Sequence, residues 1–343
     1  MDGPERTATA GQAASPVYHG GDLAQVRAEH PEAPTPWIDL STGINPWPYP
    51  LPPLDPDDWT RLPEPARVAT LEAAAARAYG VGDAARVAAT PGTQAAIQML
   101  PRVLPGARVA ILGFTYQEHA RTWRDAGRSV MVVDDPIDLV GADVAVVVNP
   151  NNPDGRRLSP AALAAIADAL ASSGGTLIVD EAFVDVEDPA ASIAADLPPS
   201  TIVLRSFGKT WGLAGLRLGF VLGAPHFAAE IRRAFGPWAV SGPAIGIGQA
   251  ALDDAEWLAE TRRRLAAAAE RLDGLLADAG FTPVGGTALF RLVSHPQASA
   301  VRHRLAAAGV HVRRFPHDPT LLRFGLPGPE DHWRRLAAAL AES

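Results

Sequence analysis

An α/β fold is the class the sequence predicts: a mostly parallel seven-stranded sheet between helices, followed by a smaller α+β region. Short β-branched and aliphatic runs alternate with helical patterns, and a run that is apolar at every position, such as Val144–Val148, suits a strand buried on both faces. Beyond about Phe235 the alternation gives way to a long Ala- and Arg-rich helical stretch and then to mixed strands and helices. Polar residues also gather where the buried runs end, the edge at which open α/β sheets bind ligands.

Taken in order, the chain opens with an arm to about residue 60, kept extended by Pro46, Pro48, Pro50, Pro52, Pro53 and Pro56. A helix is predicted over 66–79, stopped by Gly80. Strands are predicted at 86–90, 108–113, 129–133, 143–149, 176–180, 201–206 and 216–222, with helices starting near Thr93, Gln117 and Pro160. A helix over 243–280 then precedes strands at 289–293, 310–313 and 321–324. The expected organisation is an arm over 1–60 that partly completes a small C-terminal domain at 236–343, and a large domain at 61–235.

Composition narrows the function. With 343 residues, 47% hydrophobic and 20% charged, the chain can bury a sizeable core. A net charge of −8 argues against a nucleic-acid surface, and the absence of cysteine excludes disulfides, thiolate catalysis and Cys-ligated zinc. The first residues lack an apolar secretion core and no apolar run is long enough for a bilayer, so a cytoplasmic protein is expected. Of the 30 Lys and Arg residues only Lys209 is a lysine. A guanidinium stays protonated, whereas an ε-amine can lose its proton and condense with an aldehyde.

Lys209 stands in Ser206-Phe207-Gly208-Lys209, at the end of a predicted strand. Two other strand ends carry Asn149-Pro150-Asn151-Asn152-Pro153-Asp154-Gly155 and Asp180-Glu181-Ala182-Phe183. Gly92-Thr93-Gln94 lies between a strand and a helix, where backbone amides and the helix dipole suit an anion. Together these motifs resemble the fold-type I pyridoxal-phosphate (PLP) enzymes of the aspartate aminotransferase superfamily, the class I/II aminotransferases. They are most similar to the branch holding histidinol-phosphate aminotransferase and threonine-phosphate decarboxylase.

The resemblance implies that Lys209 condenses with the PLP aldehyde and later moves the proton at the substrate Cα. It further implies that Asp180 pairs with the pyridine nitrogen, Asn152 reaches the ring 3-oxygen, and Tyr116 stacks on the ring. Gly92, Thr93, Gln94, Ser206 and Arg217, eight residues after Lys209, would hold the phosphate. Two departures stand out: Phe183 and Leu62 occupy positions where many relatives carry Tyr.

For the substrate, Arg323 matches the arginine that takes the α-carboxylate. Arg313 matches a second arginine for phosphorylated substrates, with Arg314 beside it as the alternative. In the arm, His19-Gly20-Gly21-Asp22 and Asp39-Leu40-Ser41-Thr42-Gly43-Ile44-Asn45-Pro46 resemble signatures of the threonine-phosphate decarboxylases of cobalamin biosynthesis, which implies substrate contacts from His19, Gly20 and Asn45. The expectation is a homodimeric PLP-dependent decarboxylase of L-threonine O-3-phosphate with no metal. The alternatives are an aminotransferase of the histidinol-phosphate type and a PLP-fold protein without turnover. No Gly-x-Gly-x-x-Gly follows the first predicted strand of the sheet, which disfavours a dinucleotide-dependent dehydrogenase.

Overall fold

The computed structural model describes residues 20–341, and its chain is organised by two sheets. In chain order the strands are β1 (Ile38–Leu40), β2 (Val87–Thr90), β3 (Arg108–Leu112), β4 (Ser129–Val133), β5 (Val144–Val148) and β6 (Thr176–Asp180). They continue with β7 (Thr201–Ser206), β8 (Gly219–Leu222), β9 (Thr282–Thr287), β10 (Phe290–Ser294), β11 (Val310–Arg314) and β12 (Leu321–Gly325). The larger sheet has the order β2-β8-β7-β6-β5-β3-β4. All its pairings are parallel except those of β8, which runs antiparallel to β2 and β7. This is the expected mostly parallel, seven-stranded architecture.

The reason its strands read as unbroken apolar runs is visible in β6. Leu177 and Val179 enter one core with Leu71, Val203, Phe207 and Phe220, while Ile178 enters the opposite core with Ile97, Leu100, Trp123 and Ile202. Both faces are covered, so neither phase of the alternation can be polar. Each fully buried aliphatic side chain contributes roughly 1.5–3 kcal/mol relative to exposure. The ends of the central strands are therefore held by the best-packed part of the molecule.

The second sheet has the order β1-β11-β12-β10-β9. The arm supplies β1, which pairs in parallel with β11 through Ile38↔Val310 and Leu40↔Val312. A third core lies here, built from Ile38, Leu40, Leu265, Phe290, Val312 and Phe324. Helices Ala255–Asp278, Ala298–Ala307 and Glu330–Ala341 contribute its other residues.

The structure differs from expectation at several elements, among them the arm, which is not extended throughout but carries the short helices Leu23–Glu29 and Asp57–Thr60. The helix expected over 243–280 is two helices, Gly242–Asp253 and Ala255–Asp278, because the Asp254 side chain accepts a hydrogen bond from Trp257 N and caps the second one. The first of them packs Ala244, Ile245, Ala251 and Leu252 into the large sheet's core, and only from Leu265 does the second helix join the other core. The passage between cores is thus made later in the chain than residue 235. Strand β8 starts at Gly219 instead of 216, since Arg217 adopts a left-handed conformation with φ 57°. Strand β9 was not expected because Pro283, Gly285 and Gly286 weaken any strand pattern; it lies at the sheet edge, where proline is tolerated.

Candidate active site

The carboxyl ends of β5, β6 and β7 converge on one cleft. Its opposite wall comes from the arm and from β11 and β12. Lys209 sits in the single helical turn Phe207–Thr210 that follows β7. That turn is anchored from below by Phe207 and Trp211, both fully buried, whose rings stack with centroids 4.6 Å apart and planes 3° from parallel. Burial, then the positive field of Arg323, lowers the Lys209 amine to about 8; Asp180 opposes the shift, while Arg217 and Arg313 add to it. Near neutral pH a useful fraction of this amine is therefore unprotonated, as carbonyl capture needs.

Asp180 ends β6 and is almost fully buried. One carboxylate oxygen accepts from Ala182 N at 3.1 Å, and the other lies 2.9 Å from His119 Nε2. Sequence reasoning missed His119, which is completely buried. The one signal that could have found it is its position three residues beyond Tyr116, at the start of helix Glu118–Asp125. On the same loop the Tyr116 hydroxyl donates to Gln94 Oε1 at 2.8 Å, and Gln94 Nε2 donates to Glu118 Oε2 at 3.1 Å. The Gln94 side chain thus orients Tyr116 and leaves its backbone to the anion cradle. Burial, then Glu118 and Asp180, pushes the Tyr116 phenol up to about 12, so it remains a donor.

The cradle itself is the start of helix Thr93–Val103, whose N-cap Gly92 provides no side-chain cap. Its first-turn amides are left for a ligand. Gly92 has φ +83°, and a Cβ there would lie 2.8 Å from Arg217 Nη2. Glycine is what lets the guanidinium lie against the loop. Arg217 Nη1 is tethered to Ala214 O at 2.9 Å, and Ser206 lines the same cleft.

Across the cleft Arg323 is 2% exposed. Its Nη1 donates to Asn152 Oδ1 at 2.5 Å, its Nη2 donates to Ser41 O at 2.9 Å, and the group lies 4.8 Å over the Phe290 ring. Among the described residues no carboxylate forms an ion pair with it, and its Nε has no hydrogen-bond partner. Burial, then the neighbouring Arg313, holds this guanidinium well below its usual value, with Asp39 opposing. A buried cation without a protein anion is costly, and a ligand carboxylate relieves that cost.

Arg313, paired with Arg323 across β11 and β12, lines the cleft. Arg314 instead lines a small groove with Asp22, Glu29, Arg302 and His311. Gly20 lines the cleft; His19 lies outside the described residues.

Asn45 is a correction. Its side chain donates to Thr210 O at 2.8 Å and accepts from Trp47 N at 2.9 Å, while its backbone N–H donates to Lys209 O at 3.0 Å. It braces the lysine turn from behind, and Gly43, two residues earlier, is the one that lines the cleft. Phe183 is buried, meets Phe290 edge to face at 5.2 Å and lies 5.8 Å from Lys209 Nζ; Leu62 is exposed. Glu181, beside Asp180, faces away from the cleft into a buried cluster with Arg205, Asp185 and Ser192. Among the described residues no group of His, Asp and Glu could hold a metal ion.

This donor set fits PLP: a neutralisable amine, a buried carboxylate, an aromatic face and an uncapped helix start beside an arginine. The comparisons agree with the fit. Two curated relatives named threonine-phosphate decarboxylase are each 45% identical. The Pseudomonas aeruginosa protein aligns over 94% of this chain and 97% of its own length, and the Sinorhizobium sp protein over 95% and 98%. The solved histidinol-phosphate aminotransferase of Sinorhizobium meliloti, in complex with pyridoxal-5'-phosphate, shares the fold with a TM-score of 0.78 at 24% identity, over 96% of this chain and 95% of that one. The described aminotransferase class I and II sequence pattern matches from residue 51 to 340, spanning the phosphate cradle, the lysine turn and both cleft arginines, and the chain belongs to that family.

Proposed function

We propose that this chain is a PLP-dependent decarboxylase of L-threonine O-3-phosphate, forming (R)-1-amino-2-propanol O-2-phosphate and CO2 for cobalamin biosynthesis. Its support in sequence is the name carried by both 45%-identical relatives over nearly their whole length. The structural observation that carries it is the buried Arg323, without a carboxylate ion-pair partner among the described residues, with Arg313 at its side. Two guanidiniums on one wall suit a substrate with a carboxylate and a phosphate.

In this reading Gly92, Thr93, Gln94, Ser206 and Arg217 would hold the cofactor phosphate, Tyr116 would stack on its ring, and Asp180, oriented by His119, would pair with the ring nitrogen. When bound, PLP supplies an electron sink conjugated to the substrate Cα. Arg323 and Asn152 would orient the substrate's α-carboxylate, and that placement would select which bond to Cα breaks. Loss of the carboxylate as CO2 would leave Cα to take one proton, which Lys209 would deliver. Phe183, which lines the cleft, would limit water around the carboxylate, which favours its loss as neutral CO2. The family resemblance supports a homodimer with its sites near the subunit interface. Among the described residues no helix is long and apolar enough to cross a membrane, and the proposed compartment is the cytoplasm.

The test is product analysis by mass spectrometry after incubating PLP-loaded protein with phosphothreonine, with and without 2-oxoglutarate. Aminopropanol phosphate formed without the oxoacid is the expected result. Glutamate formed only when histidinol phosphate and the oxoacid are supplied overturns it in favour of an aminotransferase.

A further inference from the structure

The arm reaches the cleft through one residue that no catalytic role accounts for. Ser41, just past the end of β1, is completely buried. Its hydroxyl donates to Asp39 Oδ1 at 2.6 Å and accepts the Gly21 N–H at 2.7 Å, so both of its hydrogen-bonding functions are used. Its backbone carbonyl accepts from Arg323 Nη2 at 2.9 Å. The same carbonyl packs against Gly20 so closely that any Cβ on Gly20 would collide with it. Asp39 in turn accepts from Ser41 N at 2.9 Å, which closes a turn whose shape the hydroxyl completes. One serine therefore touches the arm's Gly20-Gly21 turn on one side and the carboxylate arginine on the other.

We infer that Ser41 is a positioning residue for substrate selection: its hydroxyl pins the Gly20-Gly21 turn at the cleft mouth, in fixed register with Arg323, and so sets the distance between the sites for the substrate's phosphate and its carboxylate. The inference rests on the phospho-amino acid reading of the cleft. Its physical basis is a division of labour within one residue. The carbonyl that serves Arg323 survives any side-chain substitution, whereas the Gly21 N–H and Asp39 lose their partner when the hydroxyl goes. Gly21 is exposed, so water can take over its N–H, but the turn then loses its tether to Ser41 and is free to shift at the cleft mouth. Ser41→Ala should then loosen the phosphate end of the site and spare the carboxylate end and the cofactor.

The experiment compares wild-type and Ser41→Ala holoenzyme. Steady-state turnover of phosphothreonine should show a KM raised roughly tenfold with kcat within about twofold, the signature of lost binding that is uniform between ground and transition states. Calorimetric titration of the holoenzyme with inorganic phosphate, which probes the distal site alone, should show a parallel weakening. The absorbance of bound PLP should be unchanged.

Unchanged KM and unchanged phosphate affinity in a folded Ser41→Ala protein would overturn the inference, as would a fall in kcat or in PLP absorbance at constant KM. If Ser41→Ala does not fold, Asp39→Ala carries the same test by releasing the hydroxyl from its anchor. A wild-type protein that binds phosphate but does not turn over phosphothreonine defeats the functional reading alone, and the calorimetric comparison still decides on Ser41.

Discussion

The two walls of the cleft are built in different ways. On the sheet wall, Asp180, Ser206 and Lys209 each stand at or just beyond the end of a strand whose preceding residues are buried in two cores. On the facing wall, Gly20, Ser41, Arg313 and Arg323 come from separate segments joined by strand pairing and by single hydrogen bonds, such as the one between Ser41 and Arg323. In the proposed reading, the sheet wall would hold the groups that the cofactor needs and the facing wall those that choose a substrate. A wall set by local strand-and-turn geometry keeps one chemistry in place, while a wall stitched together from distant segments can change its selectivity without disturbing the other.

Substitutions on each wall should separate these two properties. The largest effect is expected on the sheet wall. Lys209→Ala should abolish borohydride-trapped PLP and lower turnover by more than about 10³-fold, since amine capture and the proton at Cα both depend on it. Mass spectrometry of the reduced protein checks this, and covalent labelling that persists in the mutant would remove Lys209 from its role.

Arg323→Gln sharpens the comparison because it acts on both walls. Loss of a charge-assisted contact to the carboxylate should raise KM by roughly 10–100-fold. Its field also helps hold the Lys209 amine at about 8, so its removal should move that value upward. The neutral amine is the reactive form and grows as pH rises through this value. The pH midpoint for PLP capture by the apoprotein, followed by absorbance, should therefore lie near 8 in the wild type and higher in Arg323→Gln. An unmoved midpoint would mean that the walls are electrostatically independent.

The smallest effect distinguishes neighbours. Arg313→Ala should raise KM for phosphothreonine about tenfold, and Arg314→Ala should leave it within about twofold, because only Arg313 faces the cleft. Equal effects in paired kinetic assays would show that the facing wall is less sharply ordered than its hydrogen bonds imply.

The sheet wall was readable from the chain alone. Motifs at the ends of Val144–Val148, Thr176–Asp180 and Thr201–Ser206 located Asn152, Asp180 and Lys209 because a buried strand and the turn after it leave few positions for a polar residue. The single lysine was a signal of the same local kind. His119 escaped because its importance lies in a contact with Asp180 made 61 residues away, and a lone buried histidine has no pattern of its own. Asn45 misled for the related reason that an asparagine in a motif can face either way, and only packing turned it toward the lysine turn and left Gly43 at the cleft.

Local physics, acting through strand periodicity and tight turns, was enough to determine the α/β fold class and to single out the one neutralisable amine, while the roles of the cofactor groups came from the family resemblance. Tertiary structure alone decided which arginine of the Arg313-Arg314 pair enters the cleft, where the long helix breaks, and that Ser41 meets Arg323 across 282 residues of chain. Those outcomes depend on the register of strands brought together from distant segments, and register is fixed only when whole hydrophobic faces are buried together.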